Sequence, residues 1–224
     1  MADQDPLQKI RDREHFYENV ESLAKHLDKY FKSEEMTVFH EVLSLDFHLD
    51  VYLINRKEDN FKMLLTSGMS LLPMTVPDEV ENKNEYQFAE LMLLLPKDIE
   101  FPEVHTSEEG NGWLISMLKE TARFPHYYDT WLSIGHTLQA TYEMTPYNDD
   151  VDFVGCLILP SATFGEDFTT FYSGDRKINI YSIFPLYKDE LEYKIEHGFS
   201  RFFDFLIEGN VPEIFNVNRV GLIK

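Results

Sequence analysis

The residues suited to chemistry are few and scattered. His48 and Asp50 stand two apart in "FHLDVYLI", so on an extended strand they share a face, and His136 lies in "SIGHTL". Two imidazoles and a carboxylate can hold a divalent transition metal. A metal-dependent enzyme using His48, Asp50 and His136 is therefore one reading. No H-E-x-x-H, no cysteine pair and no second close histidine accompanies them. The other reading is a buried hydrogen-bond network, and it is the one expected here, with no metal and no cofactor. Ser67 and Ser70 flank Gly68 in "TSGMS", but the G-x-S-x-G order of a nucleophile elbow is missing. "YSGDRK" (172–177) lacks phosphate-loop spacing and reads as a hairpin turn on Gly174–Asp175. The single cysteine, Cys156, sits in the apolar run "FVGCLILP" and reads as a small core residue, not a thiolate.

The elements that must position these residues follow from periodicity. "DP" at 5–6 offers a helix start. Apolar residues at three-, four- and seven-residue spacing, Tyr17, Val20, Leu23, Leu27 and Phe31 among them, then predict one amphipathic helix. Strands are expected at 37–42, 47–54, 61–67, 154–160 and 178–185. "FAELMLLLP" (88–96) is ambiguous: its length and Pro96 suit a strand, its Ala, Glu, Leu and Met a helix. A helix is expected over 112–124, stopped by Pro125. A long one is expected over 188–209, with stripe Leu191, Ile195, Phe199, Phe202, Phe203 and Leu206 and a cap at Gly209. Strands and helices mix without βαβ alternation. The expected class is α+β, a mixed, mostly antiparallel sheet packed with helices. Residues 1–35 are an N-terminal helical segment of unassigned role, and 36–224 form the main domain.

The 224 residues carry 40 acidic and 20 basic side chains, a net charge of −20. Such a field repels nucleic acid and anionic membranes and attracts basic partners. No basic-then-apolar leader and no apolar run of about 18 residues is present, so a cytoplasmic protein is expected. Residues 76–110 and 141–175 together hold −15 of the −20. The second segment has no lysine or arginine. Its Asp149, Asp150, Asp152, Glu166 and Asp167 are the expected partner-binding acids. Solubility alone is the competing explanation.

"HLDVYLINR", "LLTSGMSLLPM", "AELMLLLPKD", "WLISMLKETARFPHYYDTWLSIGHTL", "LILP" and "INIYSIFPLYKDELEYKIEHG" occur in this order, with "FNVNR" near the end. Together they resemble the Suppressor of fused domain family over residues 37–208 and 215–219. The resemblance implies that His48, Asp50, Gly68, Met69, Trp131, Gly135 and His136 are structural. Gly68 would permit a positive φ or a close approach, Met69 would fill space, and Thr66 or Ser70 would satisfy backbone groups. Trp131 would be buried, and His136 would find a buried partner. It also implies binding instead of catalysis. Animal members are two-domain regulators that hold zinc-finger transcription factors between their domains, and the second domain is not expected here. Single-domain members resemble bacterial proteins thought to act as immunity proteins. The resulting expectation is an antitoxin that binds a basic toxin domain, a nuclease for example. The alternative is a regulatory binding domain in another bacterial pathway.

Overall fold

The structure is a computed structural model that describes residues 13–41, 47–101 and 110–223. The expected helix start at Asp5–Pro6 lies outside the described residues, as do Val42 and the acids Glu103, Glu108 and Glu109. In chain order the elements are helix α1 (Arg13–Leu27) and strands β1 (Met36–Phe39), β2 (Asp50–Ile54), β3 (Phe61–Ser67) and β4 (Phe88–Pro96). They are followed by α2 (Gly112–Tyr127), β5 (Thr137–Gln139), β6 (Phe153–Leu159), the short α3 (Glu166–Thr169), β7 (Thr170–Ser173), β8 (Arg176–Tyr187), α4 (Lys188–His197) and α5 (Phe199–Glu208). One sheet runs β1-β2-β3-β4-β8-β6-β5, with β7 hairpinned onto β8. The β4–β8 pair is parallel and every other pair is antiparallel. The class is α+β with a mixed, mostly antiparallel sheet, as the sequence predicts.

Both faces of the sheet are covered, and alternation decides which residue goes where. On β4, Ala89, Leu91, Leu93 and Leu95 join the larger core under α2, while Phe88, Met92 and Leu94 join the smaller core with Leu23 and Leu27 of α1. This resolves "FAELMLLLP" as a strand. A central strand buried on both faces needs continuous apolarity, and burial overrides the helical preference of Ala, Leu and Met.

Glu90 breaks that apolarity. It lies on the α1 face of β4 with no exposed surface. Its Oε1 accepts the Gly68 and Ser70 N–H groups at 3.0 Å each and the Ser70 hydroxyl at 2.6 Å. Its Oε2 accepts the Thr66 hydroxyl at 2.6 Å. Thr66 Oγ1 in turn accepts the Leu91 N–H. "TSGMS" is thus a set of donors bent around one buried carboxyl group. The bend needs Gly68: its φ is +135°, and a Cβ there would lie 2.2 Å from the His48 carbonyl oxygen. The same turn is tied to both helical layers. Asn19 Nδ2 of α1 donates to Ser70 O at 2.7 Å, and His126 Nε2 of α2 lies 3.1 Å from Met69 O.

The chain end is pinned by a second buried carboxylate. Glu190, also without exposed surface, takes a forked pair of bonds from Arg219 at 2.6 and 2.5 Å, plus the Tyr187 and Leu222 N–H groups. The Arg219 guanidinium sits against the rings of Phe153, Phe184 and Tyr187.

Three expectations need correction. The helix over 188–209 is two helices, because Gly198 takes φ +83° and its N–H closes α4 on Lys194 O. Gly209 caps α5 as expected, its N–H bonding Phe205 O, though with a right-handed φ; the left-handed position belongs to Asn210. Pro125 does not stop α2. It sits inside the last turn, and Tyr128 N–H bonds Phe124 O beyond it. The deeply buried tryptophan is Trp113, stacked on Tyr147 and Phe153, whereas Trp131 is only half-buried.

Substituting Gly68 by Ala forces a Cβ into backbone at an unfavourable φ, and is expected to cost about 3 kcal/mol or more, read as a shift in the urea midpoint. Glu90→Leu strands four buried donors at ~1–3 kcal/mol each and is expected to abolish folding; Glu90→Gln keeps three acceptor contacts and is expected to fold with a loss of roughly 1–2 kcal/mol. Burial pushes the Glu90 carboxyl above its ordinary 4.5, against the pull of its four donors. The folded state therefore favours the protonated form, so stability falls as pH rises from the ordinary carboxylate value towards the raised one. The stability advantage of wild type over Glu90→Gln is expected to shrink across that window; an advantage that grows with pH contradicts this.

Candidate protein-interaction surface

The fold brings His48 and Asp50 together but not His136. His48 Nε2 lies 2.9 Å from Asp50 Oδ1. The third member is His40, whose Nδ1 is 3.0 Å from Asp50 Oδ2. The β1–β2 register explains this: Phe39 faces Val51, so His40 follows opposite Asp50. Sequence reasoning missed His40 because eight residues separate it from His48. The signal was the antiparallel pairing of the two strands, not proximity along the chain. His136 instead sits edge-on to the Trp131 ring at 4.8 Å. Burial holds its pKa below the ordinary value, opposed by a hydrogen bond with the Trp131 backbone.

The "TWLSIGHTL" segment is a turn that delivers β5 to the sheet edge. Gly135 N–H bonds Ile158 O, and Ile158 N–H bonds His136 O. Gly135 has φ +90°, and a Cβ there would meet the Phe199 ring at 2.9 Å. Met69 is fully buried and Cys156 is buried on β6, its thiol pushed up by burial and 3.6 Å from Thr121 Oγ1.

The acidic residues separate into two groups. Asp149, Asp150 and Asp152 lie on the loop entering β6, with Glu143. Glu166 and Asp167 lie beyond the far end of β6 on α3, beside Tyr30 of the segment after α1. Acid elsewhere is partly neutralised: Asp78 pairs with Lys83 and Glu85 with Lys177. Among the described residues, no ion pair joins Glu143, Asp149, Asp150 or Asp152 to a lysine or arginine.

The same loop walls a groove of about 820 Å³ between the end of α2 and edge strand β5. Tyr127, Tyr128, Tyr142 and Ile195 line it and are all exposed, Tyr142 by 92%. Ile195 was expected in the apolar stripe of its helix and is instead exposed. Glu41 and Glu120 add carboxylates to the groove, and burial raises the Glu120 pKa against the pull of Arg123. The groove thus carries exposed aromatic anchors with Glu41, Glu120 and Arg123 in its wall, and the loop that contributes Thr141, Tyr142 and Tyr147 to it also carries Glu143, Asp149, Asp150 and Asp152 outside it. No helix among the described residues is long and apolar enough to cross a membrane.

Known proteins resemble this chain in sequence pattern and in shape. The family described as Suppressor of fused protein (SUFU) matches residues 46–220. No curated protein matches significantly. A Suppressor of fused homologue from Neisseria gonorrhoeae shares 15% identity and superposes with a TM-score of 0.68, over 93% of this chain and 98% of that one. The Sufu–Fu complex matches at 14% identity and a TM-score of 0.61, covering 91% of this chain and 92% of that one. Drosophila Suppressor of Fused matches at 15% identity and a TM-score of 0.60; this chain is covered over 91% of its length and spans 51% of that protein. The match extends over most of the chain and includes the Thr66–Ser70 turn, Glu90, Glu190 and Arg219; the protein belongs to the Suppressor of fused family.

Proposed function

We propose that this protein is a non-catalytic protein-binding module that works as an immunity protein, occluding a basic toxin domain in its own cell. The observation that carries the reading is the groove between α2 and β5, lined by exposed tyrosines and walled by the loop that also carries Asp149, Asp150 and Asp152, acids with no ion pair to lysine or arginine among the described residues. Tyrosine supplies large contact area at low conformational cost. The acids supply long-range attraction to a positive surface, such as the nucleic-acid cleft of a nuclease, and so a fast on-rate. Family membership supports protein binding as the activity, and one solved relative is a complex between Sufu and Fu. Glu166 and Asp167, on the other side of β6, are assigned a secondary role in the overall field.

The test begins with a pull-down using the product of the neighbouring gene and continues with association kinetics at two ionic strengths. Neutralising Asp149, Asp150 and Asp152 together to Asn is expected to slow association about tenfold at low salt and flatten its salt dependence, with an unchanged melting temperature, because all three are exposed. Association as fast as wild type at low salt removes this loop as the steering surface.

A further inference from the structure

We infer that His40, His48 and Asp50 form a binding site for a zinc-class divalent cation at the edge of the sheet. Their ligand atoms, one from each residue, lie within 4.8 Å of one another. Each imidazole nitrogen already points at a different oxygen of the same carboxylate, at 3.0 Å for His40 Nδ1 and 2.9 Å for His48 Nε2. In a tetrahedral zinc site with bonds near 2.0–2.1 Å, neighbouring ligand atoms stand about 3.3 Å apart. The contacts through Asp50 are close to that spacing. To share one ion, both imidazoles must turn from the carboxylate oxygens towards a common centre; the His40 side chain, 72% exposed, has the room to do so.

The site is built around a fixed carboxylate. The Asp50 side chain is only 14% exposed, and its Oδ1 also accepts the Glu41 N–H at 2.9 Å. Glu41 is itself anchored by Arg123 and by the Leu49 N–H. Of the nearby cations, Arg123 pairs with Glu41, while Lys119 lies within the field of both Glu41 and Asp50. Such outer contacts orient a ligand and raise metal affinity. The His48 carbonyl is packed against Gly68, so the backbone of this ligand is held by the core as well. Two imidazoles and one carboxylate suit zinc and its neighbours and disfavour magnesium and calcium, which take oxygen-rich sets. Three ligands among the described residues leave one position of a tetrahedron open. When filled, the site clips the end of β1 to the start of β2.

The experiment uses the full chain, stripped with chelator and freed of any histidine tag. Zinc and cobalt are titrated calorimetrically, and thermal melts are recorded with and without zinc. The expected result is one zinc per chain, no comparable binding of magnesium or calcium, and a higher melting temperature with zinc. His40→Ala and His48→Ala are each expected to weaken zinc binding at least about tenfold and to remove the thermal shift, while His136→Ala leaves both unchanged. His40 is exposed, so its variant keeps the fold and carries the test if His48→Ala does not. Absence of stoichiometric binding, or equal affinity in wild type and His40→Ala, overturns the site and leaves a hydrogen-bonded His–Asp–His cluster only.

Discussion

A carboxyl group can leave water only if something replaces its hydration, and Glu90 sits fully buried on the middle strand of a sheet covered on both faces. Much of the local architecture follows from meeting that demand. The four donors come from five consecutive residues, so the chain leaving β3 must turn sharply around the carboxyl group. The turn requires glycine, because the backbone of His48 fills the space a side chain would take. Once bent, it presents Met69 and Ser70 carbonyls to α2 and α1, and both layers hold it there. A polar group inside an apolar core thus sets the register between sheet and helices, a specificity that apolar packing alone supplies poorly.

The Glu190–Arg219 pair does the same at the other side of the sheet. It closes the junction between β8 and α4 and draws the chain end across the larger core, where Phe215 is buried and bonds Leu94 O. With both cores closed, four of the eight exposed large hydrophobic residues among the described residues gather at the α2–β5 edge. They are Tyr127, Tyr128, Tyr142 and Ile195. The rigid part of the molecule therefore presents the groove, and the groove's chemistry comes from loop residues around it. This division between a packed scaffold and a polar, aromatic rim is what protein recognition needs.

Legibility in the sequence followed the range of the interactions. The alternation in "FHLDVYLI" and the turn in "YSGDRK" are local; the hairpin forms where read, and the strand forms over Asp50–Ile54 of the expected 47–54. The family resemblance placed the fold, and the family match covers residues 46–220. What the sequence hid is non-local. Nothing near Thr66 or Ser70 says that their partner is Glu90, some twenty residues away, inside a run that looks simply greasy. His40 and Asp50 meet only through strand pairing. The acids of 141–175 look like one cluster along the chain, but the length of β6 carries Asp149, Asp150 and Asp152 away from Glu166 and Asp167. The stripe from Leu191 to Leu206 looked like one helix face, yet the positive φ of Gly198 splits the helix there, and Ile195 is exposed.

The central claim is that the α2–β5 groove and its acidic loop are where a protein partner docks. Hydrogen–deuterium exchange, comparing the free protein with its complex with the neighbouring gene's product, tests it directly. The account predicts slowed exchange on binding at residues 127–128, 137–142 and 147–152, with the Gly68 and Ser70 amides equally protected in both states because Glu90 holds them in the core. Protection confined to the α1 side, at Tyr30 and 164–173, with the groove unchanged, would contradict it.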